Sequence, residues 1–346
     1  MTTHYKWLED QGYFKIMEYR RSHESSAEQA FIKDILEPEL KQHGIFDVDD
    51  AGNYIIRIGK KYDTLFSCHI DTMHNKILHT DAKQKLVIDS VKGHLYSGGH
   101  ECLGADDGSG IFLLFMLLRN KVPGLYIFHR GEERGGIGSS YIAKTASDTK
   151  IFKKINKAVA FDRYKTNHVI THQGGRRCAS DEFAKALAAE FQIICTTDWQ
   201  PNDGGTFTDT ANYTSLIPEW TNISVGYMHQ HTAQEYQDLD FLNMFAQGIH
   251  EVAWDNLPVK RDPKIVELPI WVNRLGNTRR VANKKAVPFR PERNDVWDDY
   301  FSDEITAKWV AKNASDVADF LNLSGYSIDS IEEDLDELSI DQFNLR

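Results

Sequence analysis

The stretch LGADDGSG, residues 103–110, places two aspartates side by side among three glycines. Adjacent carboxylates repel each other, and neither aspartate nor glycine favours the interior of a helix or a strand. We therefore expect positive charge close to Asp106 and Asp107, and the surrounding sequence indicates where that charge comes from.

The segments around this stretch alternate between strand-like and helix-like patterns. Strands are predicted at 64–70, 124–130, 157–163 and 221–227, and helices at 108–120, 136–146, 180–191 and 233–257. Before them, the pattern predicts helices within 4–44, with Ser25 or Ser26 as an N-cap, and a hairpin at 45–59. Strands that alternate with helices predict an α/β fold with a mostly parallel, twisted sheet flanked by helices.

Acidic and histidine side chains follow the predicted strands. They are His69, Asp71, Glu132, Glu133, Asp162, His229 and His231. Sites in open α/β sheets form outside the carboxyl ends of the strands, so these side chains are expected to meet at one edge. Crowded carboxylates would repel each other and take up protons unless cations lay between them. Mixed imidazole and carboxylate ligands suit zinc, with manganese or cobalt as alternatives.

The order of these motifs resembles that of the co-catalytic zinc exopeptidases of the M20, M28 and M42 kind. The motifs are HxD at 69–71, GADDGSG at 104–110, GEE at 131–133, Asp162, and HT at 231–232. The resemblance covers roughly residues 10 to 255 and implies the zinc exopeptidase (phosphorylase/hydrolase-like) fold. It also implies two divalent metal ions, with Asp106 as the bridging ligand, His69 and Asp162 on one ion, and Glu133 and His231 on the other.

Residues beside these ligands are given roles by the same resemblance. Glu132 is implied as the general base that acts on the water shared by the two ions. Asp71 is implied to orient His69 through its second ring nitrogen. The peptide bond between Asp106 and Asp107 is implied to be cis, with Asp107 helping to hold the turn.

Three assignments have alternatives. His229 competes with His231 as the last ligand, although HTAQE at 231–235 resembles the H-[ST]-x-x-E motif of the family and favours His231. Asp209 is either an acid near the site or a structural cap. Arg176 and Arg177 are either a substrate-carboxylate pocket or surface residues.

The number of residues between the motifs limits which subfamily the chain resembles. Only 68 residues lie between Asp162 and His231, and only 36 between His69 and Asp106. The first interval leaves no room for the lid domain that M20 enzymes usually carry, and the second leaves none for the β domain of M42 enzymes. The resemblance therefore implies a compact, M28-like catalytic core without a lid.

An open, acidic site favours an aminopeptidase, because it attracts the free α-amine of a peptide. The closest alternative is a carboxypeptidase or N-acyl amidohydrolase, and a further one is a non-catalytic binding protein on the same fold. We expect a peptide or small amide as substrate, and oligomer formation is left open.

The rest of the chain limits partners and location. The net charge of −11 argues against nucleic-acid binding, for which only the basic stretch 274–293 is a candidate. Without a signal-peptide pattern, a membrane-spanning run or paired cysteines, a cytoplasmic protein with reduced thiols and no membrane contact is expected. We predict a catalytic domain at 1–258, a basic linker at 259–294 and an acidic, partly helical C-terminal extension at 295–346.

Overall fold

Strands and helices alternate in the computed structural model, which describes residues 5–75, 83–174 and 176–265. In chain order the strands are β1 (Phe46–Val48), β2 (Tyr54–Ile58), β3 (Thr64–His69), β4 (Leu86–Asp89), β5 (His94–Ser97), β6 (Gly124–His129), β7 (Lys157–Arg163), β8 (His168–Ile170), β9 (His172–Gln173), β10 (Arg176–Arg177), β11 (Gln200–Asn202), β12 (Glu219–Ser224), β13 (Tyr227–Met228) and β14 (Tyr236–Asp238). The α-helices are α1 (Lys6–Asp10), α2 (Tyr13–Met17), α3 (Ser26–Phe31), α4 (Glu37–His43), α5 (Ala105–Arg119), α6 (Ile137–Thr149), α7 (Asp181–Ile194) and α8 (Leu239–Gly248).

The main sheet has eight strands in the order β1-β2-β6-β3-β7-β12-β8-β11. Its centre is parallel, because β3 pairs in parallel with β6 and β7, and β12 pairs in parallel with β7. The hairpin of β1 and β2 adds to β6 in antiparallel orientation at one edge, as β8 does to β12 near the other. The predicted mostly parallel sheet is confirmed.

Apolar side chains cover both faces of this sheet. In β3 the neighbouring residues Leu65 and Phe66 point to opposite faces, as the two-residue period of a strand requires. Phe66 packs in the cluster that contains α5, whereas Leu65 packs in the cluster that contains Ile142 of α6. Every residue of α5 from Ala105 to Leu118 is buried, which explains why this helix is apolar on all sides.

A second, four-stranded antiparallel sheet has the order β13-β14-β5-β4. It corrects the prediction of one long helix over 233–257. Residues Tyr236–Asp238 pair with β5 instead, and α8 begins only after Asp238, whose carboxylate accepts the backbone N–H of Phe241 at 2.9 Å. Beyond α8 the chain has two short 3-10 turns at Ile249–Glu251 and Trp254–Asn256.

The N-terminal helices are shorter than their apolar pattern suggests. Gly12, with a φ of 84°, separates α1 from α2. In the second helical region, α3 continues through a π-helical turn at Ile32–Leu36 into α4. Ser25 is the N-cap of α3, because its hydroxyl accepts the backbone N–H of Glu28 at 3.0 Å.

Three further expectations concern the domain boundaries, the membrane and the cysteines. Most of the predicted linker and all of the C-terminal extension lie outside the described residues, which end at residue 265. Among the described helices, none combines the length and the apolar character needed to cross a membrane. The four cysteines are buried and form no disulfide: Cys68, Cys102, Cys178 and Cys195.

Candidate metal centre

Several of the predicted site residues lie at or just after the carboxyl ends of the central parallel strands. His69 is the last residue of β3, Asp162 lies near the end of β7, and a 3-10 turn that begins at Glu132 follows β6. Asp106 lies in the first turn of α5, and His231 lies in the loop between β13 and β14. The topology therefore brings them to one edge, as expected from parallel strands.

We call six of these residues the acid–imidazole cluster: His69, Asp106, Glu132, Glu133, Asp162 and His231. Their potential ligand atoms form three overlapping groups, within each of which all atoms lie within 4.8 Å of one another. The groups are His69–Asp106–Asp162, His69–Glu132–Glu133 and Asp106–Glu133–His231. The predicted ligands and the predicted base are thus brought together in one place.

Asp106 lies between two imidazoles. Its Oδ1 is 3.0 Å from Nε2 of His69, and its Oδ2 is 3.2 Å from Nε2 of His231. Asp162 approaches the same nitrogen of His69 at 3.6 Å, and Glu133 Oε1 approaches that of His231 at 3.0 Å. Each oxygen of Asp106 therefore belongs to a separate imidazole–carboxylate group, which is the arrangement of a carboxylate that bridges two ions.

The charges of the cluster are those of a cation site. Burial raises the pKa of the Glu132 carboxyl well above its ordinary value, and nearby Asp162 adds to the effect. Burial also raises the pKa values of Glu133 and Asp162, and in both the negative charge of Asp106 contributes. Imidazole nitrogens and carboxylate oxygens are ligands that zinc and neighbouring divalent metals accept, so the donor set fits such ions.

The two histidines share protons with these acids. Burial lowers the pKa of His69, but hydrogen bonds to Asp106 and Asp162 outweigh that effect and hold it well above its ordinary value. In the same way, hydrogen bonds to Asp106 and Glu133 outweigh burial and raise the pKa of His231 to about 11. The carboxylates thus favour the positively charged form of both imidazoles, as they would favour metal cations at the same place.

Asp71 contacts the cluster through both its backbone and its carboxylate. The Nδ1 atom of His69 is 2.9 Å from the backbone carbonyl oxygen of Asp71, whereas the carboxylate oxygen Oδ1 is 3.8 Å away. The carboxylate instead accepts backbone N–H groups of Gly131 at 2.8 Å, Glu132 at 3.2 Å and Glu133 at 3.3 Å. Asp71 therefore lies against the second ring nitrogen of His69, as the resemblance implies, but through its backbone carbonyl oxygen, while its carboxylate holds the turn that carries Glu132 and Glu133.

Asp107 holds the turn that follows Asp106. Its Oδ2 accepts the backbone N–H of His69 at 3.1 Å, and its Oδ1 accepts that of Gly110 at 2.9 Å. The Asp106–Asp107 peptide bond is cis, as the resemblance implies. Only glycine fits at position 110, because a Cβ atom there would lie 2.1 Å from the carbonyl oxygen of Phe161.

His229 and His231 take different places. His231 joins the acid–imidazole cluster through Asp106 and Glu133. The ring of His229 instead packs near the ring of Tyr236, with centroids 5.9 Å apart. The geometry therefore favours His231 as the last ligand.

The two open arginine positions lie on the short strand β10. Arg177 donates to the carboxylate of Asp181 at 2.7 Å and to the carbonyl of Ala179 at 3.2 Å, next to the start of α7. Arg176 is exposed. These contacts resemble those of surface residues more than those of a carboxylate pocket.

Asp209 is buried beside a second imidazole. Its Oδ2 lies 3.2 Å from Nδ1 of His129, whose Nε2 is 2.7 Å from the hydroxyl of Tyr213. Burial raises the pKa of Asp209 to about 8, against the opposing charge of His69. Asp209 therefore belongs to a buried network behind the cluster and is not a simple helix cap.

Sequence reasoning missed the partners of Asp162. Its carboxylate accepts hydrogen bonds from the Thr208 hydroxyl at 2.7 Å and from the Tyr227 hydroxyl at 3.2 Å. Its backbone exchanges hydrogen bonds with the side-chain amide of Asn222. Tyr227 is the last residue of the predicted strand 221–227, which is the one signal that could have found it, whereas Thr208 lies in a loop without a pattern.

No protein-family model matches the sequence, and no curated protein matches it. Solved structures with the same fold include a tripeptidase from Staphylococcus aureus subsp. aureus Mu50, at 14% identity and a TM-score of 0.57, with 72% of this chain and 98% of that chain covered. Aminopeptidase PepT from Bacillus cereus ATCC 10987 gives 14% identity, a TM-score of 0.58 and the same coverage. The TET1 peptidase of Pyrococcus horikoshii, which assembles into a tetrahedron or a large octahedral shell, gives 14% identity and a TM-score of 0.54 over 70% of this chain and 98% of that chain.

Proposed function

The chain has the zinc exopeptidase fold, and from that premise we propose that it is a dinuclear-metal hydrolase of peptide (amide) bonds and specifically an aminopeptidase. One observation carries this proposal. The two oxygens of Asp106 face different imidazoles, His69 and His231, each of which has a further carboxylate beside it. Two adjacent cation positions with a shared carboxylate are what a two-metal hydrolase needs.

The ligands are proposed as the resemblance implies them. Asp106 would hold both ions, His69 and Asp162 would complete one shell, and Glu133 and His231 the other. Zinc is the first choice, with cobalt or manganese as alternatives. When bound, the ions would lower the pKa of a water molecule and polarise the scissile carbonyl.

Glu132 is proposed as the residue that moves protons. Its carboxylate lies within 4.8 Å of ligand atoms of His69 and Glu133, and the residue is half-buried. From this position Glu132 would take a proton from water and deliver it to the leaving nitrogen. Glu133, its neighbour in sequence, faces His231 and is the better placed of the two as a ligand.

The choice of an aminopeptidase follows from charge. The acids of the cluster would attract the α-amine of a peptide. A carboxypeptidase or N-acyl amidohydrolase needs a basic group for the substrate carboxylate, but Arg177 is already bound to Asp181 and Arg176 is exposed. A non-catalytic binding protein on this fold would not need Glu132 beside the ligand set.

A digest of a mixed peptide library, analysed by mass spectrometry, tests the proposal. The protein is loaded with zinc or with cobalt, and Glu132→Gln is the control. Stepwise loss of residues from N-termini, absent in the control, is the expected result. Loss from C-termini would support the carboxypeptidase, and the absence of cleavage by a protein shown to hold two ions would refute peptide hydrolysis.

Assembly is a separate question. The Pyrococcus horikoshii neighbour forms large shells. Light scattering of this protein in solution would show whether it also forms an oligomer, since the scattered intensity gives the molar mass directly.

A further inference from the structure

Arg21 is fully buried, its guanidinium group lies over the ring of Phe31, and its hydrogen bonds within the described residues all go to carbonyl oxygens. Nε donates to Ile70 at 2.9 Å, Nη2 donates to Gly104 at 2.8 Å, and Nη1 donates to Ile16 at 3.1 Å and to Tyr19 at 3.4 Å. One planar cation therefore joins the N-terminal region to two separate loops.

Those two loops carry residues of the acid–imidazole cluster. Ile70 directly follows His69, and Gly104 precedes Asp106 by two residues. The backbone strengthens the first contact, because Arg21 N–H donates to the Thr72 hydroxyl at 3.1 Å and Thr72 N–H donates to the Arg21 carbonyl at 3.0 Å. The spacing between the two loops is thus fixed by the geometry of a single rigid side chain.

Glu235 holds the second of these loops through its N–H groups. Its Oε2 accepts the backbone N–H of Leu103 at 2.9 Å and of Gly104 at 3.1 Å, and its Oε1 accepts that of Asp106 at 3.1 Å. Gly104 is therefore held by its carbonyl to a cation and by its N–H to an anion.

Burying the side chains of Arg21 and Glu235 lowers the stability of the fold. Arg21 and Glu235 are buried, and buried charges cost stability unless their hydrogen bonds are complete. Apolar side chains of similar size would fill the same space at lower cost. What they could not do is fix the positions of particular carbonyl and N–H groups beside Asp106.

We propose that Arg21 and Glu235 are positioning residues, which hold segment 103–106 and the turn after β3 so that the Asp106 carboxylate stands between His69 and His231. Neither residue belongs to the acid–imidazole cluster, and both act through backbone groups. The proposal rests on the proposed dinuclear function, and it explains why residues far apart in sequence meet around one loop.

The first test compares Arg21→Met with a matched buried cation. Lys157 is also buried. It donates to the carbonyl of Trp254 at 2.8 Å and pairs with the carboxylate of Asp63 at 2.8 Å, but it stands at the first residue of β7, the end of the strand away from the cluster. We expect Lys157→Met to lower the urea midpoint of unfolding and to leave cobalt affinity unchanged. Arg21→Met should also weaken cobalt binding by about 10- to 100-fold, measured by chelator competition, and alter the visible cobalt spectrum.

A second measurement needs no metal. In chelator-treated protein, amide hydrogen exchange at residues 103–106 should accelerate in Glu235→Gln and in Arg21→Lys, because each retains only part of the hydrogen bonding. Unchanged exchange there in both variants, or wild-type cobalt affinity and spectrum in Arg21→Met, would overturn the inference. Wild-type protein that binds no cobalt would instead refute the dinuclear function, while the exchange result still decides the role of the two residues.

Discussion

The Asp71 carboxylate accepts the backbone N–H of Glu132 at 3.2 Å, while it stands 3.8 Å from the imidazole of His69. Asp71 thereby sets the turn that carries the proposed base. Asp71→Asn should lower kcat by about 10- to 100-fold, because an amide group cannot accept three N–H groups as a carboxylate does. Metal content by mass spectrometry should stay that of the wild type, and loss of an ion would mean that Asp71 acts on His69 instead.

Glu132 and Glu133 should separate proton transfer from metal binding. Glu132→Gln removes the basic oxygen but keeps the shape, so turnover should fall by about 10²- to 10⁴-fold with both ions retained. Glu133→Gln should lose affinity for one ion. Steady-state rates and metal content of the two variants provide the check, and an active Glu132→Gln enzyme would exclude Glu132 as the base.

The last ligand is decided by a pair of alanine variants. His231 contacts Asp106 and Glu133, whereas His229 packs near Tyr236. His231→Ala should therefore hold one ion instead of two, and His229→Ala should hold both. The reverse result in equilibrium dialysis would transfer the ligand assignment to His229.

Metal binding should release protons. In the metal-free protein, hydrogen bonds to carboxylates raise the pKa of His231 to about 11 and hold that of His69 well above its ordinary value, so both imidazoles are protonated near neutral pH. Metal ligation requires neutral rings and ionised carboxylates, so the number of protons released as the site fills should be at least about two. Titration calorimetry in buffers of different ionisation enthalpy measures that number, and heats that do not depend on the buffer would contradict it.

His74 should make the fold sensitive to acid. Burial, together with the nearby charge of Arg21, lowers its pKa to about 4 from 6.5. The unfolded chain therefore binds more protons between these values, and stability is lost as the pH falls through that window, by about 2 kcal/mol near pH 5. His74→Asn should lose less stability than the wild type between neutral pH and about pH 5 in urea unfolding. The same substitution at the exposed His100 is the control, and an equal loss in both variants would contradict the assignment.

The fold could be predicted because its central strands are short apolar runs separated by long apolar or amphipathic helices. The hydrophobic pattern gave a wrong prediction where a segment that favours a helix locally pairs with a strand distant in sequence. Residues 233–238 have helix-compatible composition, but Tyr236 and Gln237 pair with Tyr96 and Leu95 of β5. A contact across that many residues leaves no periodicity in either segment.

In the candidate site, too, some residues could be predicted from the sequence and others could not. His69, Glu132 and Asp162 could be predicted together because parallel strands bring their carboxyl ends to one edge, whereas Asp106, in the first turn of α5, is placed with them by the resemblance alone. The residues proposed to position them, Arg21 and Glu235, could not be predicted from the sequence. They bind backbone carbonyl and N–H groups, which nearly every residue has.

The pairing of β14 with β5 also bears on how the protein is made. A nascent chain that ends before residue 236 already contains Asp106, Glu133 and the whole parallel centre of the main sheet. It has no strand to complete the second sheet, whose inner pair joins residues 94–97 to 236–238. The His231 loop becomes anchored on both sides only when β14 has left the ribosome, so the position formed by Asp106, Glu133 and His231 is completed after the parallel centre of the main sheet has been synthesised.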